Sequence, residues 1–314
     1  MANDLQQELN KIVSEHLGKA GDGTVVKPYV TPDEVDASLL VPVPRKLNRI
    51  DYGIDDEDLP FYGFDTWNAY EVSFLLSNGY PVSGVLKIVY DSNSPNIVES
   101  KSMKLYLNSY NMAKIEAAYE RDAIWQVEEQ IEKDLSAAVG GIVEVSFRRY
   151  NREPLRKPFH YDFIELESIV KVEDMTFEHY NEDASILQYE PQSGYLPYRV
   201  TTNALRSNCR VTNQPDWGDV YIAIHGDRAP TPDSLLKYII SMRRENHFHE
   251  EICECIYKRL YDALPDHEIF VSCLYTRRGG LDINPARASA EEMLFDYAYA
   301  LGEASEMHVK TERQ

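Results

Sequence analysis

An α+β fold is expected for this chain, built from antiparallel sheets that each carry two helices on one face. Two observations predict it. Alternating apolar strands are punctuated by turn residues and followed by helical stripes, and the same element order, β-β-α-α-β, occurs twice. In the first half, Tyr70–Leu76 and Val82–Tyr90 read as strands joined at Asn78-Gly79, a dipeptide suited to a tight hairpin. A helical stretch is expected over Ser102–Tyr110. A second helix places Ile124, Val127, Ile131 and Leu135 on one face and stops at Gly140-Gly141. Val143, Val145 and Phe147 then alternate with Glu144, Ser146 and Arg148 as a half-buried strand, and a further strand is expected over Phe163–Val170.

The second half repeats the order. Tyr198–Arg206 and Val220–His225 read as strands. Thr231-Pro232 supplies an N-cap and a first-turn proline for a helix reaching about Arg244. A helix over His249–Leu264 follows, and then Ile269, Val271, Cys273 and Tyr275 alternate as a strand. The expected organisation is an N-terminal extension over 1–60, a first module over 61–170, a polar linker over 171–197 and a second module over 198–314. The extension is irregular and rich in Pro and Asp, apart from an amphipathic start near Leu5–Leu17.

Composition narrows the function classes. Of 314 residues, 43% are hydrophobic, an ordinary share for a globular protein, and no apolar run is long enough to span a bilayer. The mixed-charge start has no apolar signal-peptide core, so a cytoplasmic location is expected. The formal net charge of -20 disfavours phosphate backbones as partners. An anionic ligand would need a local cluster of cations. The four cysteines, Cys209, Cys253, Cys255 and Cys273, are too few for a disulfide scaffold in so long a chain. They are metal ligands, a nucleophile or core filler.

Four segments carry candidate chemistry. In Ser207–Gly218, Cys209 leaves a strand and Asp216 follows across polar, turn-forming residues that can fold back. A thiol beside an acid suits nucleophilic addition to a polar multiple bond. The same spacing also suits a buried cysteine and a turn-capping aspartate. In Asn246–Cys255, His247, His249, Glu250 and Cys253 invite a zinc site. Cys253 and Cys255, however, point about 200° apart on a helix that turns about 100° per residue. A His249-Glu250 pair presented to an organic ligand fits better, and acids suited to a helix N-terminus are the plainest account. In Tyr275–Pro285, Arg277-Arg278 and Gly279-Gly280 end a strand and can hold a phosphate, or form a basic turn. In Glu99–Tyr106, a carboxylate, hydroxyl and ammonium sit at a helix start, where capping by Ser100 or Ser102 is the alternative. Gly18–Thr24 is glycine-rich, but it follows no strand and matches no phosphate-loop spacing, so it reads as a tail. Any nicotinamide cofactor would be held without a Rossmann domain.

Together these segments resemble the 7-cyano-7-deazaguanine reductases of queuosine biosynthesis, the QueF family, in its longer two-module form. The matching stretches are Glu99–Tyr110, Ser207–Gly218, Phe248–Glu251 and Tyr275–Pro285. Val43–Arg45, Leu47–Arg49, Leu59–Phe61, Trp67 and Tyr70-Glu71 also fit. The likeness spans roughly Ala37 to Arg287 and is weak over 150–197. Arg210, Asn213 and Asp219 fall at variable positions. The resemblance implies tandem tunnelling-fold modules in a homodimer. It implies reduction of the nitrile (preQ0) to 7-aminomethyl-7-deazaguanine (preQ1) with two NADPH through a covalent cysteine thioimide, for tRNA modification. By the same resemblance Cys209 is the nucleophile, Asp216 the proton donor, and His249 lies beside the reacting carbon. Val98, Glu99, Ser100, His249 and Glu250 would contact the substrate, with the two acids holding the base. Ser100, Lys101, Arg278 and Gly279 would contact NADPH. No metal, nucleic-acid or membrane partner is implied. The rivals are a zinc-dependent pterin cyclohydrolase on the same fold, which would use the His/Cys cluster, and a non-catalytic acidic interaction module.

Overall fold

A computed structural model describes residues 32, 34–149, 155–192, 197–311 and 314. The expected amphipathic start and the Gly18–Thr24 tail lie outside the described residues. The chain divides into two units. One comprises described residues of Met1–Asn48, Trp67–Pro154 and Arg278–Leu281, and the other those of Arg49–Thr66, Leu155–Arg277 and Asp282–Gln314.

In the first unit the hairpin forms as its turn residues dictate. Strands β1 (Tyr62–Leu76) and β2 (Pro81–Asp91) are joined at Asn78-Gly79, with Gly79 at φ 82, and Asn78 Oδ1 accepts the Tyr80 N–H at 3.0 Å. That left-handed φ carries no penalty for glycine. Strand β3 (Val143–Arg148) pairs antiparallel with β2, matching Val85 to Arg148 and Tyr90 to Val143. Helix α1 covers Ser100–Asn108 and α2 covers Glu120–Val139. The buried stripe of α2 is Ala123, Val127, Ile131, Leu135 and Val139, with Ile124 at its margin rather than in it. Burying each large member is worth about 1.5–3 kcal/mol. Gly140 ends the helix in the left-handed region, and its N–H reaches Ser136 O.

In the second unit, β4 (Tyr198–Asn208), β5 (Pro215–His225), β6 (Glu268–Tyr275) and β7 (Leu281–Ala288) are neighbours in the order β7-β6-β5-β4. β4 pairs antiparallel with β5, β5 with β6 and β6 with β7. Helices α3 (Pro232–Ser241) and α4 (His249–Ala263) cover one face, burying Leu235, Ile239, Ile252 and Ile256 against Val200, Val220, Ile222 and Val271. Thr231 caps α3 as its hydroxyl predicts, accepting the Ser234 N–H at 3.4 Å. Helix α5 (Glu291–Gly302) covers the opposite face with Met293, Tyr297 and Leu301 against Ala223 and Phe270. The sequence reading had only the two-helix face. Because both faces are covered there, Val220–Ile224 of β5 is a continuous apolar run, while Pro215–Asp219 keeps an alternating burial.

The strand expected over Phe163–Val170 does not form. Only Ile164–Glu165 is extended, and Leu166–Ile169 is helical. The physical reason is the spacing of the inward residues: Leu166 and Val170 meet the same core four residues apart, a helical interval, whereas Ile164 and Ile169 are 54% and 48% exposed. Within 171–197, Tyr189–Pro191 pairs with Arg228–Pro230.

A buried ionic cluster underlies α4. Arg287 is inaccessible and lies 2.9 Å from both Asp65 Oδ1 and Glu254 Oε1, while Arg49 reaches the same Glu254 oxygen at 2.8 Å. Among the described residues no helix is long and apolar enough to cross a membrane.

Candidate active site

The β4–β5 hairpin sets the position of the candidate nucleophile. Asp216 pairs with Ser207 and Pro215 with Asn208. Beyond Asn208 the Cys209 N–H donates to Gln214 O at 2.8 Å, and the Asn213 N–H donates to Cys209 O at 2.9 Å. Asn213 closes the turn at φ 56, a region that asparagine tolerates better than most residues. Paired strand residues share a face, and positions two apart return to it. The register therefore sets Asp216 on the face of Ser207, with Cys209 one repeat further along. Cys209 is partly exposed, whereas Cys253, Cys255 and Cys273 are buried.

Helix α4 begins beside this hairpin. Phe248 is its extended N-cap, and Glu251 turns back to accept the Phe248 N–H at 3.2 Å. Glu250 and Glu251 lie in the first turn, where the helix dipole favours anions. This start delivers His249 to Asp216, with Nε2 3.4 Å from Oδ1. The His249 ring stacks on Tyr275 at 3.8 Å and 7°. Its Nδ1 is buried and has no hydrogen-bond partner among the described residues. Asp216 is 2% exposed and Glu250 3%. A carboxyl, an imidazole and a half-exposed thiol thus surround one end of the hairpin. The spacing left the place of Asp216 open; in the structure it faces the start of α4 at His249.

Arg210 and His247 flank these groups. Arg210 Nη1 lies 3.0 Å from Glu251 Oε2, and His247 Nδ1 lies 2.9 Å from the same oxygen. His247 Nε2 is 3.3 Å from Glu245 Oε2. Burial by itself would lower the His247 pKa, but the bonds to Glu245 and Glu251 outweigh it and lift it to about 9. The His247 bond pulls Glu245 down to about 2, against its partial burial. A histidine raised on folding from about 6.5 stabilises fully below that pH and stops doing so as pH rises through about 9. Glu245 contributes above the ordinary carboxylate range and loses that contribution as pH falls through about 2. Between pH about 6.5 and about 10 the wild type should therefore lose on the order of 3 kcal/mol more stability than His247→Gln. Urea midpoints at the two pH values check this; parallel losses in both proteins would remove the assignment.

In the first unit, Glu99 is the N-cap of α1, and its Oε2 accepts the Ser102 N–H at 2.8 Å. Capping thus belongs to Glu99 rather than to either serine. Burial raises the Glu99 pKa, and the N–H groups of Lys101 and Ser102 work against that. Val98 is buried, pairs with Pro42, and precedes Ser100 and Lys101 in the first helical turn. Arg278–Leu281 form a two-residue turn, with Gly279 at φ 58 and Gly280 at φ 82, closed by Arg278 N to Leu281 O at 2.8 Å. A Cβ on Gly279 would stand 3.1 Å from Lys104 Nζ. One on Gly280 would meet the Glu71 carboxyl at 2.7 Å.

Two family models match the chain. One, described as nitrile reductase, 7-cyano-7-deazaguanine-reductase N-term, covers residues 31–147, and the other, a QueF-like protein, covers 215–293. A protein of Dechloromonas aromatica named NADPH-dependent 7-cyano-7-deazaguanine reductase is 38% identical over 279 residues, 88% of this chain and 92% of its own length. One of the same name from Cupriavidus metallidurans is 40% identical over 265 residues, 84% and 91% of the two chains. This chain belongs to that reductase family.

The reductase models include Glu99–Lys101, Asp216, His249, Glu250 and Arg278–Gly279, while Cys209 falls between the two matched segments. The sequence does not reveal the parts played by four residues. Tyr275 was quoted within a motif but given no role as the floor beneath His249. Lys104 lies one helical turn beyond Lys101, a spacing that could have flagged it. His247 reads in the sequence only as a candidate zinc neighbour and Arg210 only as a variable position, because their meaning lies in a shared contact with Glu251 that the sequence does not display. Among the described residues no group of three or more His, Cys, Asp or Glu side chains is arranged to hold a metal. Cys253 Sγ instead faces Val271 O and Pro285 O, and Cys255 faces Tyr238.

Proposed function

We propose that this chain is an NADPH-dependent 7-cyano-7-deazaguanine reductase, forming the 7-aminomethyl product for queuosine synthesis. The observation that carries the reading is the half-exposed Cys209 on a hairpin whose register brings it alongside the buried Asp216–His249 pair. A cytoplasmic location is part of the proposal, and a reducing compartment would keep the four free cysteines as thiols. So are tandem tunnelling-fold modules over 61–170 and 198–314, joined by 171–197, and a homodimer.

The residues present suit a dinucleotide phosphate. Gly279 leaves room beside Lys104 that a Cβ would fill, and Arg278 and Lys104 bring cations to that turn in an otherwise acidic protein. Ser100 and Lys101 at the start of α1, with Arg278 and Gly279, are the proposed holders of NADPH. When bound, NADPH supplies hydride, two equivalents for the four-electron reduction of a nitrile to an amine.

The chain's own residues do the rest. Cys209 Sγ adds to the nitrile carbon, one C–N π bond opens, and the nitrogen takes a proton from Asp216, giving a thioimide. The thiol proton passes to the Asp216–His249 pair, so the net change is addition of S–H across the triple bond. A later C–S cleavage releases the thiolate and restores the nucleophile. Stacking on Tyr275 holds the His249 ring in plane while its Nε2 faces Asp216. Glu99 and Glu250 are the proposed acceptors for the ring N–H and amino group of the base, with Val98 as apolar lining.

Mixing protein, nitrile and NADPH should consume two NADPH per nitrile, with NADH far slower. Stoichiometric zinc together with no NADPH oxidation would instead favour the cyclohydrolase. Glu250→Gln should weaken nitrile binding by about 1.5–3 kcal/mol, since a charged acceptor becomes partly a donor. Glu99→Gln should do likewise and also cost about 0.5–2 kcal/mol of stability through its lost cap. Calorimetry separates the two effects from thermal melting. Unchanged binding in both variants would end their assignment to the base.

A further inference from the structure

The residues on either side of Cys209 are tied to one short segment, 245–251, by two kinds of bond. On the near side the Asn208 N–H donates to Glu245 O at 2.8 Å, and the His247 N–H donates to Asn208 O at 3.1 Å. On the far side Arg210, only 7% exposed in its side chain, pairs with Glu251 at 3.0 Å. Glu251 Oε2 also accepts from the Phe248 N–H at 3.2 Å and from His247 Nδ1 at 2.9 Å. The other imidazole nitrogen, His247 Nε2, meets Glu245 Oε2 at 3.3 Å and the Tyr52 hydroxyl at 2.9 Å. Two cations and two carboxylates thus share a largely buried cluster, with His247 at its centre.

The chemistry of imidazole makes this arrangement specific. A neutral ring donates from one nitrogen only, whereas the imidazolium donates from both. Both ring nitrogens of His247 face carboxylates, so the cluster calls for the charged form. Among the described residues, the charged or titratable groups against the ring are Glu245 before it, Glu251 one turn into α4, Arg210 on the hairpin and Tyr52 beneath. Beyond Tyr52 lie Cys255 and the Arg259–Glu182 pair. With the imidazolium present the cluster is neutral. Without it, one uncompensated negative charge sits beside Arg210 and the start of α4, and the two ties to the hairpin lose their common anchor.

We propose that His247, acting through Glu251 and Arg210 on one side of Cys209 and through Glu245 on the other, is a positioning residue that fixes the Cys209 turn against the helix start carrying His249 and Glu250. The catalytic part of this inference rests on Cys209 being the nucleophile; the positioning part does not. His247 touches no reacting atom. Its effect is on where the thiol is held, because misplacement by about 1 Å can cost about a hundredfold in rate.

The test uses the full chain and two variants, His247→Gln and Arg210→Met, the second removing the cation while keeping an apolar stem. Hydrogen exchange at the Cys209 and Asn213 amides, which close the turn, should quicken tenfold or more in each. The maximal rate of nitrile adduct formation on Cys209, measured without NADPH, should fall tenfold or more, with the half-saturating nitrile concentration changed less than twofold. The double variant should be no worse than the more affected single one, since both break one cluster. A purely structural role would lower the melting temperature and leave these rates per folded molecule unchanged. Unchanged exchange in both variants overturns the inference, and so does a wild-type adduct rate in either. If the wild type forms no adduct at all, the nucleophile reading fails, and the exchange result still decides whether His247 holds the turn. Should His247→Gln not fold, Arg210→Met carries both measurements.

Discussion

Cys209→Ala is expected to abolish adduct formation and to lower turnover by at least about a thousandfold, the scale on which removing a covalent nucleophile acts. Thiol addition needs no hydride, so wild-type protein mixed with the nitrile alone should stop at a single adduct. Peptide mapping should place it on Cys209. The other three cysteines are poor competitors on structural grounds. Burial pushes the Cys255 and Cys273 thiols well above their ordinary pKa, and Cys253 is enclosed against backbone carbonyls. Cys255→Ala should therefore keep both adduct and turnover. Asp216→Asn should form the adduct slowly, because the developing nitrogen anion lacks its nearest proton. Intact-protein mass spectrometry reads all four proteins; an adduct on another cysteine, or full turnover by Cys209→Ala, would overturn the mechanism.

Arg287→Met should lose about 3–5 kcal/mol of stability, the cost of removing one member of a buried ionic group. Arg287 has no accessible surface, and its guanidinium serves Asp65, Glu254 and the carbonyls of Phe64 and Ala286. Methionine fills much of the volume and satisfies none of these acceptors. Two carboxylates would remain in a space closed to water with the Arg49 charge, which already pairs with Glu254 at 2.8 Å, one positive charge against two negative ones. Urea denaturation gives the value directly. A loss below about 1 kcal/mol would mean that water enters and solvates the acids, and the cluster would then contribute little.

Legibility followed the physics of each segment. The β1–β2 hairpin, α2 and the capped start of α3 were plain, because a turn dipeptide, a helical stripe and a Thr-Pro pair act locally. Strand β7, Leu-Asp-Ile-Asn-Pro-Ala-Arg-Ala, was not foreseen. Its Asp282, Asn284 and Arg287 are buried polar residues whose partners come from elsewhere, so no alternation marks the strand. Helix α5 carries apolar residues around much of its surface and has no side-chain cap, leaving neither period nor start signal. Phe163–Val170 misled in the opposite direction, being apolar enough for a strand but with its inward residues Leu166 and Val170 at a helical interval. At the site, the types of residue were legible and their company was not. Cys209 and Asp216 are joined by a local turn, whereas the approach of His249 to Asp216 and of Glu251 to Arg210 depends on where α4 begins.

The Cys209 turn also behaves as a ruler. Its length, not the chemistry of its exposed residues Thr212, Asn213 and Gln214, sets where Cys209 stands against Asp216, because Asp216 is held on its own face by the run of β5 through Val220, Ile222 and Ile224. Deleting or inserting a single residue between Cys209 and Asp216 would leave the carboxylate where it is and carry the thiol away from it, since the register of β5 is fixed further along by β6. Exchanging the exposed side chains would leave the measure intact. A library that varies composition in this turn keeps the thiol beside the acid, and one that varies length moves the thiol off an acid that stays in place.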